Sequence, residues 1–376
     1  VDQNHRRAGF GETIARLDNG HPLVWRDQCL PSITDAVSAL FTYSNPRIIH
    51  WGAGSVEHLA AELKRLAIER IALVTTRSLL SSLDRLAVSP VATVVITQHA
   101  PMSQIDLGVE EVSNASADGI VSFGGGSAID AAKIISIRLA NGGGSHLPHL
   151  AIPTTLSVAE LAAGAGFTNE AGDKVGMRDP GLLVETVIYD AALTLTTPMD
   201  LWLSTGIRAL DHAVEGFLAE GEHPFNDVLA LDAIRRLFDS LPRAKASPAD
   251  AGIRTENQVA AWFSFTLPAQ SAGGLSHVMG KQIGARYGIP HGVTSCLLLP
   301  HVIRYFEARV PERVAGLTAA TGPDPSGKVH GLIGSLGLPQ HIAGFGIGEP
   351  ELRRAAVELA GKYPAEDLLE IYLAAL

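Results

Sequence analysis

The chain has 376 residues, of which 46% are hydrophobic and only 18% charged, so it is long enough for two domains and is not a disordered or solvated-tail protein. Acidic residues outnumber basic ones, 39 to 29, and a formal charge of -10 leaves no broad basic face for a nucleic-acid backbone. Cys29 and Cys296 form neither a short metal-binding pair nor a disulfide framework, which predicts reduced thiols in a cytoplasmic protein.

Residues 1–45 read as an irregular arm broken by Pro22 and Pro31, with one short helix near 33–41 and no signal-peptide core over 1–26. From residue 47 short apolar runs alternate with helical stretches. Strands are predicted over 47–51, 71–75, 91–97, 119–123 and 150–152, and helices over 56–66, 108–115 and 127–139. Buried strands alternating with helices predict a parallel sheet covered on both faces.

After Asp190 the strand signals all but stop. Helices follow over 199–218, 226–241, 256–266, 275–287 and 293–307, with shorter ones near 329–335, 350–362 and 365–376. The uncharged run 257–280 contains Gln258, Pro268 and Gln270, so no bilayer span is predicted. The expected fold is an α/β nucleotide-binding domain over 46–191 followed by an all-α catalytic domain over 192–376.

The most informative local feature is the strand 119–123 running into Gly124-Gly125-Gly126-Ser127 and an alanine-rich helix containing Asp130 and Lys133. Glycine lets the backbone approach a ligand, and a helix start capped by Ser127 presents N–H donors and a partial positive charge suited to a pyrophosphate. This is neither the spaced dinucleotide fingerprint nor the phosphate loop of nucleoside triphosphatases, and a tight turn with a serine cap would read the same way. The strand 71–75 ends in Thr75-Thr76-Arg77-Ser78, where a doubly wound sheet meets the adenosine ribose. Thr76 can meet a ribose hydroxyl and Arg77 a 2′-phosphate, so the strand end leaves NADH and NADPH both open. Pro153-Thr154-Thr155 follows another strand end at the same kind of edge.

The loop FGGGSAIDAAK, the segment AIPTTLSVAE, VIYDAALTLTTP, ALDHAVEG and SHVMGKQIGARYGIPHGVTSCLLLPHV occur in that order. Together they resemble the iron-containing alcohol dehydrogenase superfamily from about residue 46 to the C-terminus. Arg178-Asp179-Pro180 and VIYDAALTLTTP look more like its maleylacetate reductase branch. The resemblance implies the dehydroquinate synthase-like fold, with the active site in the cleft between an N-terminal nucleotide-binding half and a helical half. It implies that Gly124, Gly125, Gly126 and Ser127 receive the pyrophosphate of NAD(P)H, that Asp130 lies on the helix after it, and that Thr154, Thr155 and Leu156 line the nicotinamide side. Together with the arm outside the resemblance, it also suggests a homodimer.

Metal-dependent members hold a divalent ion with one aspartate and three histidines, and the matching positions here are Arg208, His212, His277 and His291. A further family histidine, one turn past His277, is matched by Lys281. Independently of any family, Arg208 and His212 are four apart on one predicted helix, as are His277 and Lys281 on another, so each pair projects from one helical face. A dication beside two cations would be repelled, and Asp211 can pair with Arg208 three residues back. A site without catalytic metal is therefore expected, although three histidines alone can hold zinc. Lys281 or Arg208 would stabilise the oxygen as hydride arrives, and His277, His291 or Lys281 would supply the proton.

These residues predict a metal-independent NAD(P)H-dependent reductase of a small, anionic ketone or aldehyde. Two alternatives stand beside it: a lyase or cyclase using NAD transiently, like the sugar-phosphate cyclases, and a non-catalytic member of the fold. Among the remaining residues, Met177, Met199 and Met279 read as packing groups, His58 and His301 as surface or core histidines, and Asp190 as a strand end or helix cap.

Overall fold

The computed structural model describes residues 46, 48–143, 146–170, 174–221, 223–265 and 274–376. The predicted arm, 1–45, lies outside the described residues. Six strands make a wholly parallel sheet: β1 (Ile48–Trp51), β2 (Ile71–Thr75), β3 (Ala92–Val95), β4 (Gly119–Gly124), β5 (His149–Pro153) and, after an intervening hairpin, β8 (Thr186–Tyr189). Their order across the sheet is β1-β8-β5-β4-β2-β3.

Alternate residues of each strand face opposite layers, as the pleat requires. Ala72, Val74 and Ile120 pack with Ile105 of α2 (Met102–Asn114) and Ile134 and Ile135 of α3 (Gly126–Asn141). Leu73, Val121, Phe123 and Ile152 pack on the other face with Leu59 and Leu63 of α1 (Leu59–Arg65). Both faces are thus covered, as the continuous apolar strands predict.

The hairpin β6 (Gly164–Thr168) and β7 (Lys174–Arg178) is antiparallel and stands apart from the main sheet, with β6 against α3. Its glycine-containing strands carry no strong apolar alternation, and the sequence pattern does not announce them. The predicted helix 108–115 begins earlier, at Met102, and α3 begins at Gly126 rather than at Ser127.

Beyond Asp190 the described residues form helices, separated by turns. They are α4 (Met199–Phe217), α5 (Pro224–Ala246), α6 (Ala251–Ser264), α7 (Leu275–Tyr287), α8 (His291–Glu307), α9 (Pro311–Thr321), α10 (Pro325–Ser335), α11 (Glu349–Leu359) and α12 (Ala365–Ala374). Only α9 has no counterpart in the predicted elements. α4 runs through the centre of this half and is buried along most of its length; its Trp202 donates from Nε1 to Asn257 of α6 at 2.8 Å. Met177, Met199 and Met279 pack against apolar clusters, as read from the sequence. Among the described residues no helix is long and apolar enough to cross a membrane.

Candidate active site

Strands β2, β4 and β5 end in register, Thr75 beside Phe123 and Gly124 beside Pro153, so their following loops share one edge. Thr76 lies at that edge and bonds Ser78 through its hydroxyl at 3.1 Å, while Arg77 is exposed beside it. The protein's own packing leaves no room for a side chain at Gly124 and Gly125 and little at Gly126. A Cβ on Gly124 would meet the Ala128 methyl at 2.9 Å, one on Gly125 the Thr155 methyl at 2.9 Å, and one on Gly126 the Ser157 hydroxyl at 3.1 Å.

Ser127 is not the helix cap. Gly125 occupies that position, and the Ser127 hydroxyl accepts the His99 amide at 3.0 Å. The start of α3 therefore keeps its free N–H groups for a ligand. Asp130 accepts the Gly166 amide at 3.0 Å, which ties the hairpin to α3, and burial raises its carboxyl pKa to about 6. Lys133 is buried and donates to the carbonyls of Ala159, Ala162 and Gly164, fixing the chain between β5 and β6.

In that chain Thr154 is held by its amide on the Gly124 carbonyl at 2.9 Å. The hydroxyl of Thr155, expected at the cofactor, and that of Ser157, which alone of the two is not singled out in the sequence, are buried without hydrogen-bond partners. Buried hydroxyls left unpaired beside a glycine loop fit a site completed by a polar ligand, and the residues here fit a dinucleotide. Leu156, expected on the nicotinamide side, buries its side chain in the helical core, and its amide donates to Thr205 Oγ1 of α4 at 3.1 Å. Val158 adopts φ 56°, a left-handed conformation rare for a β-branched residue and held here by complete burial.

The helical half brings three imidazoles together. His212 of α4 lies 5.9 Å from His277 of α7, and His277 lies 5.1 Å from His291 at the start of α8, measured between ring centroids. His212 also meets Phe265 edge-on at 5.0 Å. Burial, and then the Arg208 charge, holds His212 and His291 well below the ordinary histidine range, so both rings are neutral near pH 7. His277 keeps Nδ1 buried without a partner.

Arg208 is buried and committed on one side: Nη1 donates to Asp211 and to Ser295 at 2.9 Å each, whereas Nη2 is unpartnered. Asp211 also accepts from Ser276 at 3.0 Å and Ser295 at 2.6 Å, and Glu215 accepts the Ser276 amide at 2.5 Å. Both carboxylates nearest the imidazoles are therefore engaged. Lys281, half-buried, reaches across to β7, its Nζ lying 3.7 Å from where a Cβ on Gly176 would sit. Among the described residues no group of three or more histidine, cysteine, aspartate or glutamate side chains is placed to hold a metal ion. Arg208 puts a positive charge beside these imidazoles and is paired with Asp211, one oxygen of which is buried without a partner, an arrangement unfavourable to a divalent ion. Asp190, by contrast, is structural: it follows β8 and accepts the amides of Gly54, Val56 and Ala192.

Residues 46–191 match the iron-containing alcohol dehydrogenase family, and residues 202–363 match the C-terminal part of the Fe-containing alcohol dehydrogenase family. The chain is 32% identical over 330 residues to a maleylacetate reductase of Rhizobium sp. (strain MTP-10005), covering 86% of this chain and 92% of that protein. It is 32% identical to a maleylacetate reductase of Sphingobium indicum, over 85% of this chain and 90% of the relative. Among solved structures, maleylacetate reductase from Agrobacterium tumefaciens superposes with a TM-score of 0.81 at 28% identity, covering 90% of this chain and 99% of that one. Sulfoacetaldehyde reductase from Bifidobacterium kashiwanohense, solved with NAD+, gives 0.79 at 25% identity over 90% and 99%.

Proposed function

This chain belongs to the iron-containing alcohol dehydrogenase family, in its maleylacetate reductase-like branch, and is an NAD(P)-dependent oxidoreductase; we propose that it reduces a small ketone or aldehyde carrying a carboxylate, without a catalytic metal. The observation that carries this reading is Lys281: a cation on the helical half, one turn from His277, reaches the hairpin that packs on the glycine-loop helix. A relative named for an oxo-dicarboxylate and one solved as a reductase of a sulfonated aldehyde support an anionic substrate.

The cleft has to position a carbonyl, stabilise its oxygen and supply a proton. Bound nicotinamide supplies the hydride. As the carbonyl carbon accepts it, the C=O π pair moves to oxygen, and Lys281 offers both the charge and the proton that convert this oxygen to a hydroxyl. Because His212 and His291 are neutral, they accept protons more readily than they donate them, which leaves Lys281 as the donor and the imidazoles as its relay to solvent. His277, with one unpaired buried ring nitrogen, is the nearest relay in sequence and meets the His291 ring at 5.1 Å between centroids. The Thr155 and Ser157 hydroxyls and the free N–H groups of α3 hold the cofactor on the opposite side.

Absorbance of the reduced nicotinamide, followed with maleylacetate as substrate in the presence and absence of EDTA, tests the reading. Oxidation at an unchanged rate is expected. Loss of rate on chelation, with recovery on adding iron or zinc, would reject metal independence, and absence of net oxidation would point instead to transient use of the cofactor.

A further inference from the structure

The β6–β7 hairpin brings into the cleft a second lysine that no sequence motif marks. Lys174 opens β7, and its Nζ lies 3.4 Å from Nδ1 of His99 in the loop after β3. Gly176 is two residues further along the strand and so on the same face. A Cβ on Gly176 would lie 3.7 Å from the Lys281 ammonium, which meets this face of β7 from the helical half. Two cations thus converge on one face of β7, one from each side of the cleft.

Among the described residues neither ammonium closes a direct ion pair, although the charge of Asp130 acts on Lys174. Arg208 and Asp211 neutralise each other, and Glu215 is engaged by backbone amides. The carboxylate that acts on Lys174 is Asp130, already bonded to the Gly166 amide. Burial pushes the Lys174 ammonium down, and Arg208 and Lys281 add to that effect, while Asp130 opposes it. A cation held at such a place gains from an incoming anion rather than from its protein neighbours.

We propose that Lys174, placed by His99 and by the open face of β7, is the specificity-determining residue that holds the substrate's carboxylate, leaving Lys281 free for the carbonyl oxygen. The inference rests on the reductase reading above and deepens it. The loop that carries His99 supports the placement: His99 and Ala100 have φ values of 69° and 46°, and their carbonyls accept from Thr168 Oγ1 and the Thr168 amide of the hairpin. The loop and the hairpin are one unit, built to fix Lys174 at the edge of the glycine-loop helix.

The test separates binding from turnover by using adipate, an unreactive dicarboxylate, and its neutral dimethyl ester as probes, titrated calorimetrically into the protein saturated with whichever of NADH and NADPH it binds. Wild type is expected to bind adipate more tightly than the ester. Lys174→Gln should weaken adipate at least about tenfold, the loss of one charge-assisted hydrogen bond, and leave the ester unchanged. Lys174→Arg should keep adipate within about threefold of wild type, on the same scale of charge-assisted bonding. The melting temperature of Lys174→Gln should not fall, because a cation crowded by other cations is removed; if that variant does not fold, Lys174→Met carries the same comparison. Adipate affinity unchanged in Lys174→Gln, an equal loss for the ester, or no adipate binding by wild type would each overturn the proposal. Oxidation of NADH or of NADPH with maleylacetate by the unmodified protein decides the reductase reading separately.

Discussion

Arg208 and Asp211, one turn apart on α4, close an ion pair of 2.9 Å with side chains 3% and 0% exposed. The guanidinium is buried beside the imidazoles, and the neighbouring carboxylate is turned to neutralising its charge. Removing either partner alone strands the other in a low-dielectric interior. Asp211→Ala should lower unfolding free energy by about 3–5 kcal/mol, read from urea titration. The double replacement Arg208→Met with Asp211→Leu should recover most of that loss, because buried ion pairs contribute little over apolar groups of similar size.

In the proposed mechanism Lys281 bears on chemistry rather than on stability. Lys281→Ala and Lys281→His should both lower kcat by about 100-fold or more, the scale of removing one charge-stabilising donor. Added zinc or iron should restore neither. Recovery of Lys281→His by a metal would mean that the imidazole cluster accepts an ion after all.

Gly274, just before α7, faces the buried Glu215 carboxyl group, and a Cβ there would overlap it. Glu215 holds the start of α7 through the Ser276 amide, so Gly274→Ala must displace either the carboxyl group or the helix that carries His277 and Lys281. A stability loss of about 1–3 kcal/mol is expected for such overpacking, accompanied by lower kcat. Thermal melting and steady-state kinetics on the same preparation check both parts.

Glu160 is buried, accepts the Tyr189 hydroxyl at 2.8 Å, and is raised by burial from 4.5 to about 7. A carboxyl group whose pKa is higher folded than unfolded favours the folded state below its unfolded value. That advantage declines as pH rises from about 4.5 to about 7. Glu160→Gln keeps an acceptor for Tyr189 and cannot ionise, so it should flatten the fall in stability across that window and raise the melting temperature at pH 8. Denaturant titrations at pH 5 and pH 8 give the sign directly.

Much of the site can be read from residue order because it depends on helical spacing. Four-residue intervals put Arg208 with His212 and His277 with Lys281, and the structure brings His212, His277 and His291 into one row. The Arg208–Asp211 pair follows from the same geometry. Lys174 was not legible, since a lone lysine in a short, glycine-containing strand has no partner until β6 and β7 fold over α3. The Ser127 hydroxyl was misread as a cap because a serine before an alanine-rich run looks like one, whereas the tight approach of Thr155 and Ser157 starts the helix one residue earlier. Thr155 was marked by its place at a strand end, whereas the Ser157 hydroxyl became informative only once its lack of a partner was visible.

Leu156 has the widest reach of these details. Its backbone belongs to the rim of the sheet, yet its amide is fastened to Thr205 and its side chain is sunk among the apolar groups of α4. A seam stitched at that point resists sliding of one half over the other but tolerates rotation about it. Any widening of the cleft to admit or release a nucleotide should therefore swing about Leu156 as a pivot, with the largest travel at the Lys174 and Lys281 rim.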